Sequence, residues 1–190
     1  MYNFRRLLKK EPPKTLLTEL TAFIVRDSMT QKGKSMDIFL KRIDMSDCER
    51  LWKMQVEAFS GLLEKYHDYD ISPANEPLSR VEERLRQPFT YYYYIMYGET
   101  AVGAVRVVDK KDGSAKRISP VFIMEPYRGK GFAQAAIKAA EELHGSDNWN
   151  LDTILQEEGN CRLYEKMGYR RTGRQEIIND RMAIVFYEKK

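Results

Sequence analysis

Between a predicted strand and a predicted helix lies the sequence IMEPYRGKGFA, residues 123–133. Its two glycines allow the backbone to approach a ligand closely, and the helix that starts at Phe132 offers free N–H groups and the positive end of its dipole. Arg128 and Lys130 add positive charge beside them. The stretch therefore predicts an anion site, and a diphosphate suits it because several amides can each bind one oxygen.

Spacing separates three kinds of phosphate-binding loop. A Walker loop needs G-x-x-x-x-G-K-[ST], but no glycine stands five residues before Gly129 and the lysine after it is followed by Gly131. A dinucleotide fingerprint needs G-x-G-x-x-G, and Gln134 occupies its third glycine position. The pattern R-x-x-G-x-A of residues 128–133 instead resembles the coenzyme A loop of the GNAT superfamily of N-acetyltransferases. The structural alternative is a glycine-rich helix start with incidental charges.

A second motif lies downstream, in the sequence NCRLYEKMGY of residues 160–169. It resembles the L-Y-E-K-x-G-[FY] segment of the same family, a short helix that runs into a strand. Many relatives place an asparagine seven residues before the tyrosine, whereas this chain has Glu157 there and an asparagine at Asn160. The two motifs together identify residues 36–190 as similar to the GNAT family.

Strand and helix patterns alternate regularly from Met36 onward. Strands are predicted at residues 37–43, 90–97, 100–108, 118–124, 149–155, 169–178 and 181–188. Helices are predicted after a capping box formed by Ser46 and Glu49, and at residues 75–88, 132–143 and 160–167. This order, β-α-α-β-β-β-α-β-α-β-β, matches the family throughout. We therefore expect an α/β GNAT fold, in which helices flank a mixed central sheet and two parallel strands separate in a V-shaped split.

The resemblance implies that acetyl-CoA is the acyl donor and lies in this split, between the strands that end near Met124 and Leu155. Free backbone groups of Ile123 and Met124 would pair with the pantetheine amides as an added strand does, and could stabilise the oxyanion. Asn160 would reach the pantetheine arm. The expected cofactor-binding residues are Ile123, Met124, Arg128, Gly129, Lys130, Gly131, Phe132, Ala133 and Asn160.

Acetyl transfer is then a direct attack by a primary amine of a small molecule or peptide within a ternary complex. Tyr164 matches the general-acid tyrosine of the family, and its alternative role is aromatic packing. A lysine-type amine, with a pKa of about 10.4, is almost wholly protonated at neutral pH, so a base must accept its proton. Glu125 is the first candidate for this base, followed by Glu157 and Glu158. Each is also consistent with a solvated rim carboxylate, and some family members need no dedicated base.

The loop of residues 66–70 combines aromatic, histidine and acidic side chains. Two carboxylates and one histidine form a poor set of transition-metal ligands, so we expect no metal site. In the family this segment walls the acceptor pocket, where its character would suit a cationic amine. A solvated turn is the alternative.

Residues 1–35 differ in composition and are predicted to form a basic N-terminal extension to an acetyltransferase domain of residues 36–190. They hold eight basic and three acidic residues, so the predicted domain carries −1 although the net charge of the whole chain is +4. Apolar spacing at residues 16–24 predicts one short amphipathic helix. A nearly neutral domain disfavours a nucleic-acid surface, and nucleic-acid binding by the extension is a minor alternative.

The composition of the 190-residue chain excludes several classes of protein. A hydrophobic fraction of 43% fits a soluble globular fold, and no apolar run approaches the roughly 20 residues of a membrane span. Cys48 and Cys161 follow no recognisable secretory leader, so we expect reduced thiols and a cytoplasmic location. The competing function is a non-catalytic acyl-CoA sensor or interaction module. The sequence does not decide between a monomer and a homodimer.

Overall fold

The computed structural model describes residues 27–31 and 34–190, with side chains described from Ile38 onward. The strands are β1 (Asp27–Gln31), β2 (Lys34–Arg42), β3 (Thr90–Tyr97), β4 (Thr100–Val108), β5 (Lys116–Ile123), β6 (Trp149–Ile154), β7 (Arg170–Ile177) and β8 (Ala183–Lys189). The α-helices are α1 (Cys48–Tyr66), α2 (Leu78–Arg86), α3 (Phe132–His144) and α4 (Glu158–Lys166), and two short 3₁₀ turns cover Met45–Asp47 and Glu125–Tyr127.

The strands form one mixed sheet in the order β1-β2-β3-β4-β5-β6-β8-β7. Neighbouring strands are antiparallel except for the parallel pair β5 and β6. This pair is joined only where Lys116 meets Trp149 and Arg117 meets Asn150, and the two strands then separate. The predicted α/β fold with a mixed sheet and a V-shaped split is confirmed. We call the opening between β5 and β6 the split.

Two apolar cores cover the two faces of the sheet. On one face α3 packs through Ala136 and Ala140 against strands that include β5 and β6. On the other face Leu51 of α1 and Val81 of α2, both fully buried, form the centre of a second core. The four consecutive tyrosines of β3 alternate between these cores, because successive side chains of a strand point to opposite faces.

The start of α1 differs from the predicted capping box. Ser46 donates both its backbone N–H and its hydroxyl to Oδ1 of Asp44, at 2.8 and 2.6 Å, so Asp44 caps the 3₁₀ turn and Ser46 does not cap the helix. Glu49 pairs instead with Lys53 one helical turn later, at 2.7 Å. The prediction was wrong because Asp44 is a competing acceptor only two residues away, and local carboxylates bond such N–H groups readily.

The sheet also begins earlier than the pattern indicates. β2 starts at Lys34, and its first residues pair with β1 within the segment predicted as an extension. The amphipathic helix predicted at residues 16–24 lies outside the described residues. In the described part of the chain, no helix is both long and apolar enough to cross a bilayer.

Candidate active site

The chain between β5 and α3 turns through two glycines in the left-handed region. Gly129 has a φ of 73° and Gly131 a φ of 82°, values that residues with a Cβ adopt at a cost of about 1–2 kcal/mol. Gly131 is the N-cap of α3, and its carbonyl accepts the first hydrogen bond of the helix, from the Ala135 N–H at 3.1 Å. Among the described residues no group accepts from the backbone N–H groups of residues 129–134. The predicted anion site therefore presents a row of unpaired donors.

These donors border the main cleft, a cavity of about 490 Å³ at the open end of the split. Nine of the thirteen residues proposed from the sequence line this cleft, and four do not. The lining residues are Ile123, Arg128, Gly129, Gly131, Phe132, Ala133, Glu157, Asn160 and Tyr164. The residues outside the lining are Met124, Glu125, Lys130 and Glu158.

The expectation of free backbone groups at Met124 is wrong. Its N–H donates to the carbonyl of Val102 on β4 at 2.8 Å, and its carbonyl accepts from the N–H of Tyr127 at 2.9 Å. Because successive residues of a strand direct their backbone groups to opposite sides, Ile123 directs its groups into the split. At this point β5 has no pairing with β6. Ile123 therefore directs its N–H toward the split, whereas its carbonyl already accepts from Arg128 Nε.

The side chain of Arg128 lines the main cleft and also bonds two parts of the protein. Its Nε donates to the carbonyl of Ile123 at 3.0 Å, and one terminal nitrogen donates to the carbonyl of Ala58 on α1 at 2.8 Å. The guanidinium thus connects the loop to α1 and β5 while its charge remains at the cleft. This positioning role was not predicted, and the predicted role of a charge beside the diphosphate stays a prediction.

Lys130 and Glu125 lie on the exposed side of the same loop. The Lys130 ammonium donates to the carbonyl of Pro126 at 2.9 Å and lies 5.4 Å from the ring centre of Tyr127. Glu125 occupies the first position of the 3₁₀ turn, where its carbonyl accepts from the N–H of Arg128 at 3.1 Å. Neither side chain lines the main cleft.

Tyr164 is buried in α4 and packs with two other tyrosines. Its ring centre lies 6.2 Å from that of Tyr169 and 6.0 Å from that of Tyr187. Burial raises the pKa of the Tyr164 phenol well above its usual value. Among the described residues its hydroxyl has no hydrogen-bond partner, although the residue lines the main cleft. A neutral phenol with an unused donor therefore borders the cavity.

Glu157 lies at the start of α4 and borders the same cleft. Its Oε1 accepts from Lys65 Nζ at 2.7 Å and from the Tyr66 hydroxyl at 2.6 Å. Burial acts to raise the pKa of the Glu157 carboxyl, but these two hydrogen bonds outweigh burial and lower it. The contacts of Lys65 and Tyr66 with Glu157 could not be predicted from the sequence, because partners more than 90 residues apart leave no local pattern. Glu158, the neighbouring candidate, is exposed and pairs with Arg162 at 2.9 Å.

A second cavity, which we call the side chamber, adjoins the main cleft and has a volume of about 200 Å³. Residues that line both cavities include Val121, Asn160 and Tyr164. From the loop of residues 66–70, Asp68 lines the chamber and is buried. No three histidine, cysteine or acidic side chains of residues 38–190 are arranged to hold a metal ion. The loop predicted to face the substrate thus reaches this chamber through one carboxylate.

Comparison with solved structures shows which proteins share this fold. A spermidine N-acetyltransferase from Vibrio cholerae, solved with CoA and spermine, has a TM-score of 0.63 at 15% identity, over 79% of this chain and 93% of that chain. The ribosomal-protein-S18-alanine N-acetyltransferase from Escherichia coli has a TM-score of 0.61 at 9% identity, over 79% and 91%. NAA60 from Arabidopsis thaliana, solved with acetyl-CoA, has a TM-score of 0.56 at 18% identity, over 79% and 96%.

At the level of sequence, no curated protein matches this chain. The family described as Acetyltransferase (GNAT) matches residues 49–169, which is more than half of the chain. The matched range includes Gly129, Gly131 and Tyr164. The split sheet, the unpaired N–H groups and this match agree with one another. The chain belongs to the GNAT family of acetyltransferases.

Proposed function

We propose that the protein is an N-acetyltransferase that moves the acetyl group of acetyl-CoA to a primary amine of a small molecule or peptide, by direct attack in a ternary complex. The run of unpaired N–H groups at residues 129–134, beside a cleft that Tyr164 also lines, is the observation that carries this proposal. Two structures that share the fold were solved with CoA or acetyl-CoA, which supports the choice of donor.

Binding of the donor follows from the loop geometry. The CoA diphosphate would accept hydrogen bonds from the N–H groups of residues 129–134, where the positive end of the α3 dipole adds attraction. A Cβ on Gly129 would meet no protein atom within 4 Å, so the space above the loop is open to a ligand. The pantetheine arm would then run along the split beside Ile123 and Asn160, and its thioester would lie near Tyr164.

The transfer step breaks the carbon–sulfur bond of the thioester and forms a carbon–nitrogen bond to the amine. The leaving thiolate gains negative charge, and a phenol donor beside it would stabilise that charge and supply a proton. Tyr164 suits this role because burial raises the pKa of its phenol and keeps it protonated at neutral pH. Glu157, which stays ionised, would attract the ammonium form of the acceptor and accept its proton directly or through water.

Substitution of Tyr164 by Phe tests this assignment. We expect kcat to fall by about 100-fold or more, as for loss of a general acid, while the Kd for acetyl-CoA changes little. The measurements are thiol release with a panel of polyamines, aminoglycosides, amino acids and peptides, and calorimetric titration with acetyl-CoA. Tyr169→Phe is the matched control, because its hydroxyl bonds Glu141 at 2.8 Å instead of facing the cleft. An unchanged kcat in Tyr164→Phe would remove the tyrosine from the mechanism.

The same experiment separates catalysis from the competing function. Tight binding of acetyl-CoA with no transfer to any amine in the panel would favour an acyl-CoA sensor over an enzyme. Absence of acetyl-CoA binding would contradict both functions.

A further inference from the structure

The charged side chains that line the side chamber are all acidic. Among its lining residues the charged side chains are Asp68 and Asp152, and both are acidic. Asp152 forms an ion pair with Arg117, so its charge is balanced within the protein. Asp68 forms no ion pair with any described residue. The chamber therefore carries one carboxylate whose charge nothing in the described part of the chain neutralises.

The carboxylate of Asp68 is also short of hydrogen bonds. The residue is only 6% exposed, and its Oδ1 is fully buried without a partner among the described residues. The hydroxyl of Ser72, which lines the same chamber, is likewise buried and has no partner in hydrogen-bond geometry among the described residues. Burial raises the pKa of the Asp68 carboxyl, and the Ser72 hydroxyl beside it only partly opposes this effect. Buried polar atoms without partners are rare in native proteins, because each costs about 1–3 kcal/mol, so a ligand is the natural partner for this pair.

The backbone around Asp68 is fixed before any ligand binds. The Asp68 carbonyl accepts from the N–H groups of Ile71 at 3.1 Å and Ser72 at 2.9 Å. The next turn is held by the side chain of Asn75, which donates to the carbonyl of Tyr69 at 2.7 Å. The backbone that carries the carboxylate is therefore held in place by hydrogen bonds within its own loop.

The group that Asp68 receives differs from the amine that reacts. The reacting nitrogen must lie where the two cavities adjoin, beside Tyr164 and Asn160, to reach the thioester. Asp68 lines the side chamber only. The reacting nitrogen must also lose its proton before it attacks, and a neighbouring unpaired carboxylate would hold that proton in place. A positive charge elsewhere on the acceptor satisfies both conditions.

We propose that Asp68 and Ser72 bind a second, non-reacting ammonium group of the acceptor, so that the preferred substrate is a small diamine rather than a monoamine. This inference rests on the acetyltransferase function proposed above, and it adds the substrate class. An ammonium group donates three hydrogen bonds, which can satisfy both the Asp68 carboxylate and the Ser72 hydroxyl oxygen. The charged hydrogen bond is stronger than a neutral one and would distinguish the diamine from an alkylamine of equal length.

The test compares matched pairs of acceptors in the full-length protein. Diaminopropane, diaminobutane and diaminopentane are each assayed against the n-alkylamine of the same chain length, and the ratio of their kcat/KM values is measured. We expect the best diamine to be favoured by about tenfold or more in the wild type, as for one charged hydrogen-bonded contact. In Asp68→Asn this ratio should fall close to one. A wild-type ratio near one would overturn the inference without any variant.

The matched control is Asp70→Asn. Asp70 belongs to the same loop and carries the same charge, but it is exposed and does not line the side chamber. We expect this variant to keep the wild-type diamine preference. An equal loss of preference in both variants would indicate a general effect of loop charge and would overturn the role of Asp68.

A binding measurement separates failure of this inference from failure of the proposed function. Diaminobutane is titrated calorimetrically into the CoA-saturated wild type and into Asp68→Asn. Binding that is lost in the variant supports the inference even if no amine is acetylated, whereas equal binding overturns it. Thermal unfolding checks the fold, and we expect the Tm of Asp68→Asn to equal or exceed that of the wild type, because an unpaired buried charge is removed. A lower Tm with an unchanged diamine preference would assign Asp68 a structural role only.

Discussion

Oε1 of Glu157 is shared by two donors that come from the end of α1, Lys65 and Tyr66. The hydrogen bonds they donate lower the pKa of the carboxyl, so the carboxylate keeps its charge to a lower pH than an ordinary glutamate does. A base of this kind is weak, but its charge is permanent at neutral pH. In the proposed mechanism its contribution would therefore be largely electrostatic: it would attract a cationic acceptor to the cleft and receive a proton once the thioester is attacked.

Comparison of Glu157→Gln with Glu125→Gln tests which carboxylate serves the reaction. We expect kcat/KM for an amine acceptor to fall about tenfold more in Glu157→Gln, because only Glu157 lines the main cleft. Glutamine keeps an oxygen that can accept from Lys65 and Tyr66, so the variant tests the charge rather than the packing. Steady-state kinetics at several pH values provide the measurement. A larger loss in Glu125→Gln would restore Glu125 as the base.

The sequence predicted most of the residues that surround the site, but it did not predict the contacts that their side chains make. The glycines at 129 and 131 could be predicted because the left-handed backbone requires them locally. The hydrogen bonds of the Arg128 side chain could not be predicted, because their acceptors are the carbonyls of Ala58 and Ile123, which only the tertiary fold brings close to it. The position of Glu125 outside the lining of the main cleft could not be predicted for the same reason, since the direction of the chain after β5 depends on the 3₁₀ turn, and its role as the base stays a prediction.

The pairing of β4 with β5 forms the wall of the main cleft and depends on a glycine in β4. Gly103 lies opposite Ile123, and a Cβ added to Gly103 would lie 2.1 Å from the carbonyl oxygen of Phe122. Because that oxygen belongs to the backbone, the two strands would have to move apart to accept any side chain. The close approach fixes the position of Ile123, which directs its N–H toward the split.

We expect Gly103→Ala to lower both stability and affinity for acetyl-CoA. The clash with the Phe122 carbonyl should cost about 1–3 kcal/mol of unfolding free energy, as overpacking does, and the shift of β5 should weaken CoA binding. Thermal unfolding with and without CoA measures both effects.

Gly61→Ala provides the matched control for this substitution. Gly61 is exposed within α1, and a Cβ there would meet no atom within 4 Å. Alanine in a helix interior is favoured over glycine by roughly 0.5–1 kcal/mol, so this variant should be slightly more stable than the wild type. A Gly103→Ala variant as stable as Gly61→Ala would show that β4 and β5 tolerate separation.

At the level of elements, regular local patterns predicted most of the sheet and helices. The β3–β4 hairpin follows the predicted residues, and α3 begins at Phe132 as its apolar spacing indicates. β1 and the first residues of β2 were missed, because a basic, polar segment has no strand periodicity and gains its structure from pairing with a neighbour.

A buried polar network on the α3 side of the sheet connects distant parts of the molecule. Nε2 of His144 lies 3.0 Å from the Tyr93 hydroxyl, and Nδ1 lies 2.8 Å from Oδ2 of Asp109. Burial lowers the pKa of His144, and the neighbouring Asp109 only partly opposes this effect. The unfolded chain therefore binds a proton at a higher pH than the folded protein, so stability is lost as the pH falls below the ordinary histidine pKa of about 6.5.

We expect the Tm of the wild type to fall as the pH is lowered from about 7 to about 5.5, and to fall less steeply in His144→Gln. The variant should also have a lower Tm at neutral pH, because it loses the hydrogen bonds to Tyr93 and Asp109. Thermal unfolding at constant ionic strength measures both. The raised pKa of Asp68 acts in the opposite direction, so the difference in slope between variant and wild type is the informative quantity.

The only other histidine supplies the control. His67 is exposed and has a left-handed φ of 56°, which asparagine tolerates. His67→Asn should keep the wild-type slope of Tm against pH. Equal slopes in His144→Gln and the wild type would show that His144 does not control the acid sensitivity of the fold.

The V-shaped separation of β5 and β6 has a consequence for the energetics of the whole fold. Residues 151–154 of β6 have no partner in β5, so the sheet forgoes about four backbone hydrogen bonds in its interior. At a net contribution of about 1 kcal/mol each, a continuous ladder would add roughly 4 kcal/mol, a large part of the stability of an ordinary domain. The separation of β5 and β6 therefore lowers the stability of the protein at the place where a ligand could accept or donate the unmade hydrogen bonds. A sequence change that closed the split would raise stability but weaken ligand binding.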